Sequence, residues 1–123
     1  MKQIRVSQLG EEIKRVISEL LRGKIKDPRI SDMTSITEVR LTNDLSFAKI
    51  YVSVFGDEKS KEDAIKGLQS AEGFIKREIG KNVKMRIIPK LIFTLDETVE
   101  ESMKLEELIR KARESEGHFD DVE

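Results

Sequence analysis

Between residues 60 and 79, Ile65, Leu68, Ala71, Phe74, Ile75 and Ile79 recur at the spacing of an amphipathic helix, yet Ser70-Ala71-Glu72-Gly73 interrupts the stripe. A glycine inside a helix costs roughly 1 kcal/mol relative to alanine, so Gly73 needs a local reason. One reason is a kink. It would split the segment into two short helices and open unpaired backbone amides at the start of the second. Such a terminus attracts phosphate, and Lys76 and Arg77 follow within one turn. The other reason is close packing, with Ala71 and Gly73 admitting a neighbouring element. These residues alone leave both open, and a bulky residue at 73 is expected to straighten or destabilise the pair.

Upstream, Val6, Leu9, Ile13, Val16, Ile17, Leu20 and Leu21 predict a helix over 6–22, with Ser7 as its cap and Gly23 in the left-handed position after it. Pro28 fixes its own φ and pushes Asp27 out of the helical region, so Asp27-Pro28-Arg29-Ile30-Ser31-Asp32 reads as a turn. Strands follow over 34–41 and 47–55, the second with Ala48, Ile50, Val52 and Val54 on one face. Asn43-Asp44 supplies the turn between them, and so short a connection makes an antiparallel hairpin.

Ser60, with Asp63 three residues on, is the expected cap of the interrupted helix, and Gly80 its end. Met85, Ile87, Leu91 and Phe93 alternate as a third strand broken by Pro89. Thr98 and Glu101 start a last helix carrying Val99, Met103, Leu105, Leu108, Ile109 and Ala112. Residues 114–123 show no period and are expected to form an acidic, disordered tail behind a single domain at 1–113. The order is α-β-β-α-kink-α-β-α, an α+β domain. A strand–helix–helix–strand crossover makes its flanking strands parallel, so the three-stranded sheet is mixed, with helices packed on one face.

The formal net charge of −1 conceals an asymmetry. Residues 1–91 hold 19 Lys/Arg against 13 Asp/Glu, whereas residues 92–123 hold 4 against 11. A basic body with an acidic end suggests a polyanionic partner for the body. No cysteine is present and the single histidine, His118, has no ligand partners near it, so neither a metal nor another cofactor is expected. With no Cys nucleophile and no Gly-x-x-x-x-Gly-Lys phosphate loop, catalysis is not expected either. No apolar run approaches the roughly 20 residues of a membrane span, and the start lacks a signal-peptide core, which fits a cytoplasmic protein.

The element order is that of a type II KH domain, and local sequences narrow it further. Asp27-Pro28-Arg29-Ile30, Thr37-Glu38-Val39 leading to Asn43-Asp44-Leu45, Ala48-Lys49-Ile50-Tyr51-Val52, and Pro89-Lys90-Leu91-Ile92-Phe93 with Asp96 beyond resemble the bacterial ribosome-binding factor A family over residues 4–112. Ser70-Ala71-Glu72-Gly73 matches that family's Ala-x-Gly interhelical element. The resemblance implies a non-enzymatic ribosome biogenesis factor that binds the free or immature 30S small subunit through 16S rRNA. It also implies help in late 16S rRNA processing, including the 5′ end, and importance in the cold. Expected with it are a monomer, no DNA and no membrane. The alternative is a free-standing KH module for single-stranded RNA. Such modules carry Gly-x-x-Gly and clamp about four nucleotides, but Ala71-Glu72-Gly73 lacks the first glycine and is acidic in the middle.

The candidate RNA-binding residues are Ser70, Ala71 and Gly73 at the kink and two basic clusters. Arg22, Lys24, Lys26 and Arg29 form the first, and Lys76, Arg77, Lys81, Lys84 and Arg86 the second. Arg5, Lys14 and Arg15 would extend the surface along the first helix. Asp27 and Asp44 read as turn formers, and Arg29 either bonds across its turn or meets RNA. Phe47, Tyr51 and Phe55 share strand parity and either stack on bases or pack.

Overall fold

The computed structural model describes residues 2–115, with side chains at 5–97 and 106–114. The elements run α1 (Lys2–Gly23), β1 (Thr34–Leu41), β2 (Phe47–Val54), α2 (Glu58–Ser70), α3 (Glu72–Asn82), β3 (Lys90–Leu95) and α4 (Thr98–Ser115). The sheet order is β1-β2-β3, with β1 antiparallel and β3 parallel to the central β2. The mixed sheet expected from the crossover is therefore present.

One face of the sheet is apolar because alternate residues of β2 point the same way. Ala48, Ile50 and Val52 are wholly buried there, beneath Ile13 and Ile17 of α1, Leu68 of α2 and Ile75 and Ile79 of α3, all wholly buried too. Helix α1 lies on β1 and α2 lies across β2 and β3, while α3 packs against α1. In α4 the described side chains, 106–114, are all exposed, and among the described residues α1–α3 supply the helical side of the core. The segment 116–123, with His118, lies outside the described residues.

The approach of α1 to β1 depends on Gly10. A Cβ built there would stand 2.8 Å from the Val39 carbonyl oxygen, closer than side chains come to backbone, so only glycine fits. Gly67 plays a similar part in α2, where the Ile30 side chain would lie 2.7 Å from a Cβ. The Asp27–Pro28–Arg29–Ile30 turn thus docks on α2.

Several local expectations change. Helix α1 begins at Lys2, so Ser7 lies inside it and is not a cap; Lys2, Gln3 and Arg5 are good helix formers and nothing breaks the helix before Ser7. Gly23 closes α1 without a left-handed φ, since the Lys24 and Ile25 amides both donate to the Leu20 carbonyl at 2.9 Å. The cap of α2 is Asp57, whose Oδ1 accepts from the Ser60 amide at 2.8 Å, not Ser60 itself. Gly80 is interior to α3, which ends at Asn82 where the side-chain amide donates to the Glu78 carbonyl at 2.7 Å.

Residues 83–89 are not strand. Pairing starts at Lys90, whose amide reaches the Ser46 carbonyl at 3.0 Å, and Pro89 before it has no N–H to offer a ladder. Ile87 is 74% exposed while Ile88 lies 3.8 Å from the Cβ position of Gly80, which breaks the expected alternation.

A bulge between Ile36 and Glu38 releases Thr37 from the β1–β2 ladder. Its hydroxyl donates to Asp96 Oδ2 at 2.6 Å, tying β1 to the end of β3 across the central strand.

Candidate nucleic-acid interface

The interruption in the long amphipathic segment is a kink. Ala71 stands between α2 and α3 at φ −89°, ψ 2°, its amide donating to the Gly67 and Leu68 carbonyls at 3.1 Å. No side chain caps the start of α3, so its first amides are unpaired by any side chain. Ser70 and Gly73 are exposed. At Gly73 neither conformation nor packing demands glycine, since its φ is not positive. The nearest atom to a Cβ there would be Nη1 of Arg77, at 3.8 Å. Gly73 leaves the helix start open, with a guanidinium beside it. The close-packing reason for Gly73 fails, and a bulky residue at 73 has nothing to strain against.

Glu72, the acidic residue in the middle of the element, has a structural task. Its Oε2 accepts the Leu91 backbone N–H at 3.0 Å, fastening the start of α3 to the start of β3. A carboxylate in the first turn also suits the positive end of a helix. An open groove of about 410 Å³ runs beside the kink between α2 and β3, lined by Glu62, Ile65, Lys66, Gln69 and residues 93–95. The sequence reading did not single out Lys66 and Gln69, because only the crossover brings α2 alongside β3.

The two basic clusters join through one acid. Glu78, only 7% exposed, sits with Oε1 3.5 Å from Lys24 Nζ and Oε2 3.1 Å from Lys81 Nζ. Lys24 directly follows α1 in the first cluster and Lys81 belongs to the second, so the end of α1 and α3 present one surface. The hydrogen bond from Lys81, with the charges of Lys81 and Lys24, holds the Glu78 carboxyl below the usual carboxylate range against its partial desolvation. Lys24 and Lys81 are thereby partly neutralised.

Arg29 is engaged differently. Its Nε and Nη2 donate to Asp27 Oδ1 and Oδ2 at 3.0 and 2.7 Å, and its backbone amide donates to Oδ1 at 2.9 Å. These bonds hold the Asp27 carboxyl down to about 2. Of the two roles left open for Arg29, bonding across the turn is the one its side chain performs here. Among the described residues, no carboxylate lies within ion-pair distance of Arg22, Lys26, Lys76, Arg77, Lys84 or Arg86, and all but half-buried Lys76 are exposed. A second open groove of about 910 Å³, between the end of α1, the turn and β1, is lined in part by Arg22 and Lys26.

Asp44 is the turn former expected, accepting from Ser46 N, Ser46 Oγ and Thr42 Oγ1 at 2.7–3.0 Å. It lets Leu45 adopt φ 61°. Phe47 and Phe55 are 42% and 59% exposed, so neither is covered by a helix among the described residues. No group of three or more His, Cys, Asp or Glu able to hold a metal occurs among the described residues, and none of the described helices is long and apolar enough to cross a membrane.

A mixed sheet covered on one face by α1–α3, with an Ala-x-Gly kink edged by cations, is the type II KH-like class of α+β domain. The family model for ribosome-binding factor A matches residues 5–109, and the chain belongs to that family. The ribosome-binding factor A of Clostridium tetani is 44% identical over 118 residues, which are 96% of this chain and 98% of the relative. The crystal structure of ribosome-binding factor A from Thermus thermophilus superposes with a TM-score of 0.65 at 30% identity, covering 73% of this chain and 93% of that one. A homology model of the Thermus thermophilus factor, fitted into a cryo-EM map of its 30S complex, gives a TM-score of 0.62 at 29% identity, covering 75% and 96%.

Proposed function

We propose that this protein binds the free or immature 30S small ribosomal subunit through 16S rRNA. It acts in the cytoplasm, as a monomer, without a covalent step and without a cofactor. The carrying observation is Glu78, which fuses two basic clusters into one surface beside an open helix start. Arg22, Lys26, Arg77, Lys84 and Arg86 meet phosphates directly, Lys76 assists, and Lys24 and Lys81 contribute the charge Glu78 leaves them. Ser70, Ala71 and Gly73 present the α3 amides. Arg29 shapes the turn.

The fitted complex of the Thermus thermophilus factor supports the small subunit as partner. The task is assistance to late 16S rRNA maturation, 5′-end processing included, by binding one rRNA arrangement better than another. Such help matters most in the cold, where misfolded rRNA escapes slowly. A free-standing single-strand clamp is the lesser reading, because Glu72 occupies the middle of the kink and is fixed to Leu91. Co-sedimentation with immature and mature small subunits at moderate salt tests the proposal. Association with the immature subunit supports it, and absence of association with either rejects it.

A further inference from the structure

Among the described residues nothing packs over the Phe47 end of the sheet face turned away from the helices, and its exposed side chains there are mainly cationic and aromatic. The β1–β2 and β2–β3 registers set Arg40 beside Lys49, Lys49 beside Ile92, and Phe47 beside Lys90. Phe47 and Ile92 are each 42% exposed. Next along β2, the Tyr51 ring carries the Arg40 guanidinium and the Lys49 ammonium, each 5.4 Å from its centroid. The acids nearby are engaged: Glu38 pairs with Arg40, and Asp96 accepts the Thr37 hydroxyl. Both acids lie towards the Tyr51 end; at the Phe47 end Asp44 is held in its turn by Ser46 and Thr42, and Phe47, Lys49 and Lys90 make the face there cationic and aromatic.

Resting on the small-subunit reading above, we propose that this face is a second RNA site, which takes unpaired bases of a single-stranded rRNA segment. One base stacks on Phe47 and another, farther along the strand, at Tyr51, about 13 Å away by strand rise, and Lys49 and Lys90 meet the intervening phosphates while Arg40 stays with Glu38 and the Tyr51 ring. Flat aromatic rings among cations suit single strands of any sequence, because every base has a π-face while paired bases hide theirs. A protein partner would have to place acids opposite both Lys49 and Lys90, whereas a nucleic-acid strand brings a phosphate at every step.

Tyr51 is the only tyrosine and the chain has no tryptophan, so tyrosine emission reports on this face alone. The test titrates the full chain with a short oligouridylate at low salt. The expected result is quenching of Tyr51 emission. Phe47→Ser should weaken the binding by roughly tenfold, within the range of a lost base stack. Lys49→Glu should do likewise and Gly73→Leu should not. Absence of quenching by the oligouridylate, or quenching lost with Gly73→Leu and kept with Phe47→Ser, would overturn the proposal. Circular dichroism confirms that each variant is folded, with Lys49→Gln as a milder substitute. The two readings fail separately. Subunit binding by the wild type with no Tyr51 quenching rejects only the second site, whereas quenching without subunit binding rejects the small-subunit role.

Discussion

Glu78 Oε1 lies 3.5 Å from Lys24 Nζ, and through that approach the C-terminal ends of α1 and α3 share one basic surface. The other carboxylate oxygen holds Lys81 at 3.1 Å. A buried acid between two exposed lysines costs positive charge but fixes where the remaining cations stand.

Reversing charge at Lys76 and Arg77 should therefore weaken subunit binding while the fold persists, since neither side chain has an ion-pair partner to lose among the described residues. Each phosphate contact removed should lower the slope of log affinity against log salt by about 1. Affinity measured at several salt concentrations checks this. An unchanged slope would place the interface elsewhere.

The two glycines of opposite context should respond oppositely to alanine. Gly10→Ala drives a methyl against the Val39 carbonyl oxygen. The overpacking, roughly 1–3 kcal/mol, offsets the helix-propensity gain of about 1 kcal/mol, and the denaturation midpoint should fall. Gly73→Ala meets only a flexible arginine and should leave the midpoint unchanged or raise it. Gly73→Leu should keep stability and weaken subunit binding by covering the α3 amides.

Acid should loosen the helix ends before the core. Glu78 has its folded-state pKa lowered below the ordinary carboxylate range, so its contribution is present above that range and is lost as pH falls through the folded value. Asp27 and Asp44, held at about 2, follow the same sign and persist to lower pH. In Glu78→Gln this share is gone at all pH. The difference in thermal midpoint between wild type and Glu78→Gln, measured from pH 7 down to pH 3, should shrink as the pH falls. A difference that grew on acidification would contradict the assigned pairing.

Thr37→Val should cost about 1 kcal/mol, because it removes the hydroxyl donor from half-buried Asp96. The bulge positions that hydroxyl, so Ser at 37 should restore most of the loss. Chemical denaturation of the two variants checks this.

Much of this architecture is written in periodicity. Alternation over 47–54 and the short Asn43-Asp44 connection dictate the hairpin, and Gly73 betrays the kink. What periodicity cannot carry is tertiary. Gly10 is a weak helix former until the Val39 carbonyl is beside it, and Glu78 reads as one more helix acid until α1 brings Lys24 to it. The choice of Asp57 over Ser60 as cap is decided by which side chain reaches which amide. At residues 83–89 a strand-like pattern fails because Pro89 sets where pairing begins and Ile88 turns onto α3. Of the candidate site, the cations were legible as two clusters. Their union, and the withdrawal of Arg29 to Asp27, required the fold.

The most direct test is a chemical footprint of 16S rRNA in immature small subunits, taken with and without saturating protein at moderate salt. Bounded protection by the wild type, lost on reversing charge at Lys76 and Arg77, is the expected result. Reactivity identical to that of the subunit alone would contradict the assignment of a small-subunit rRNA partner.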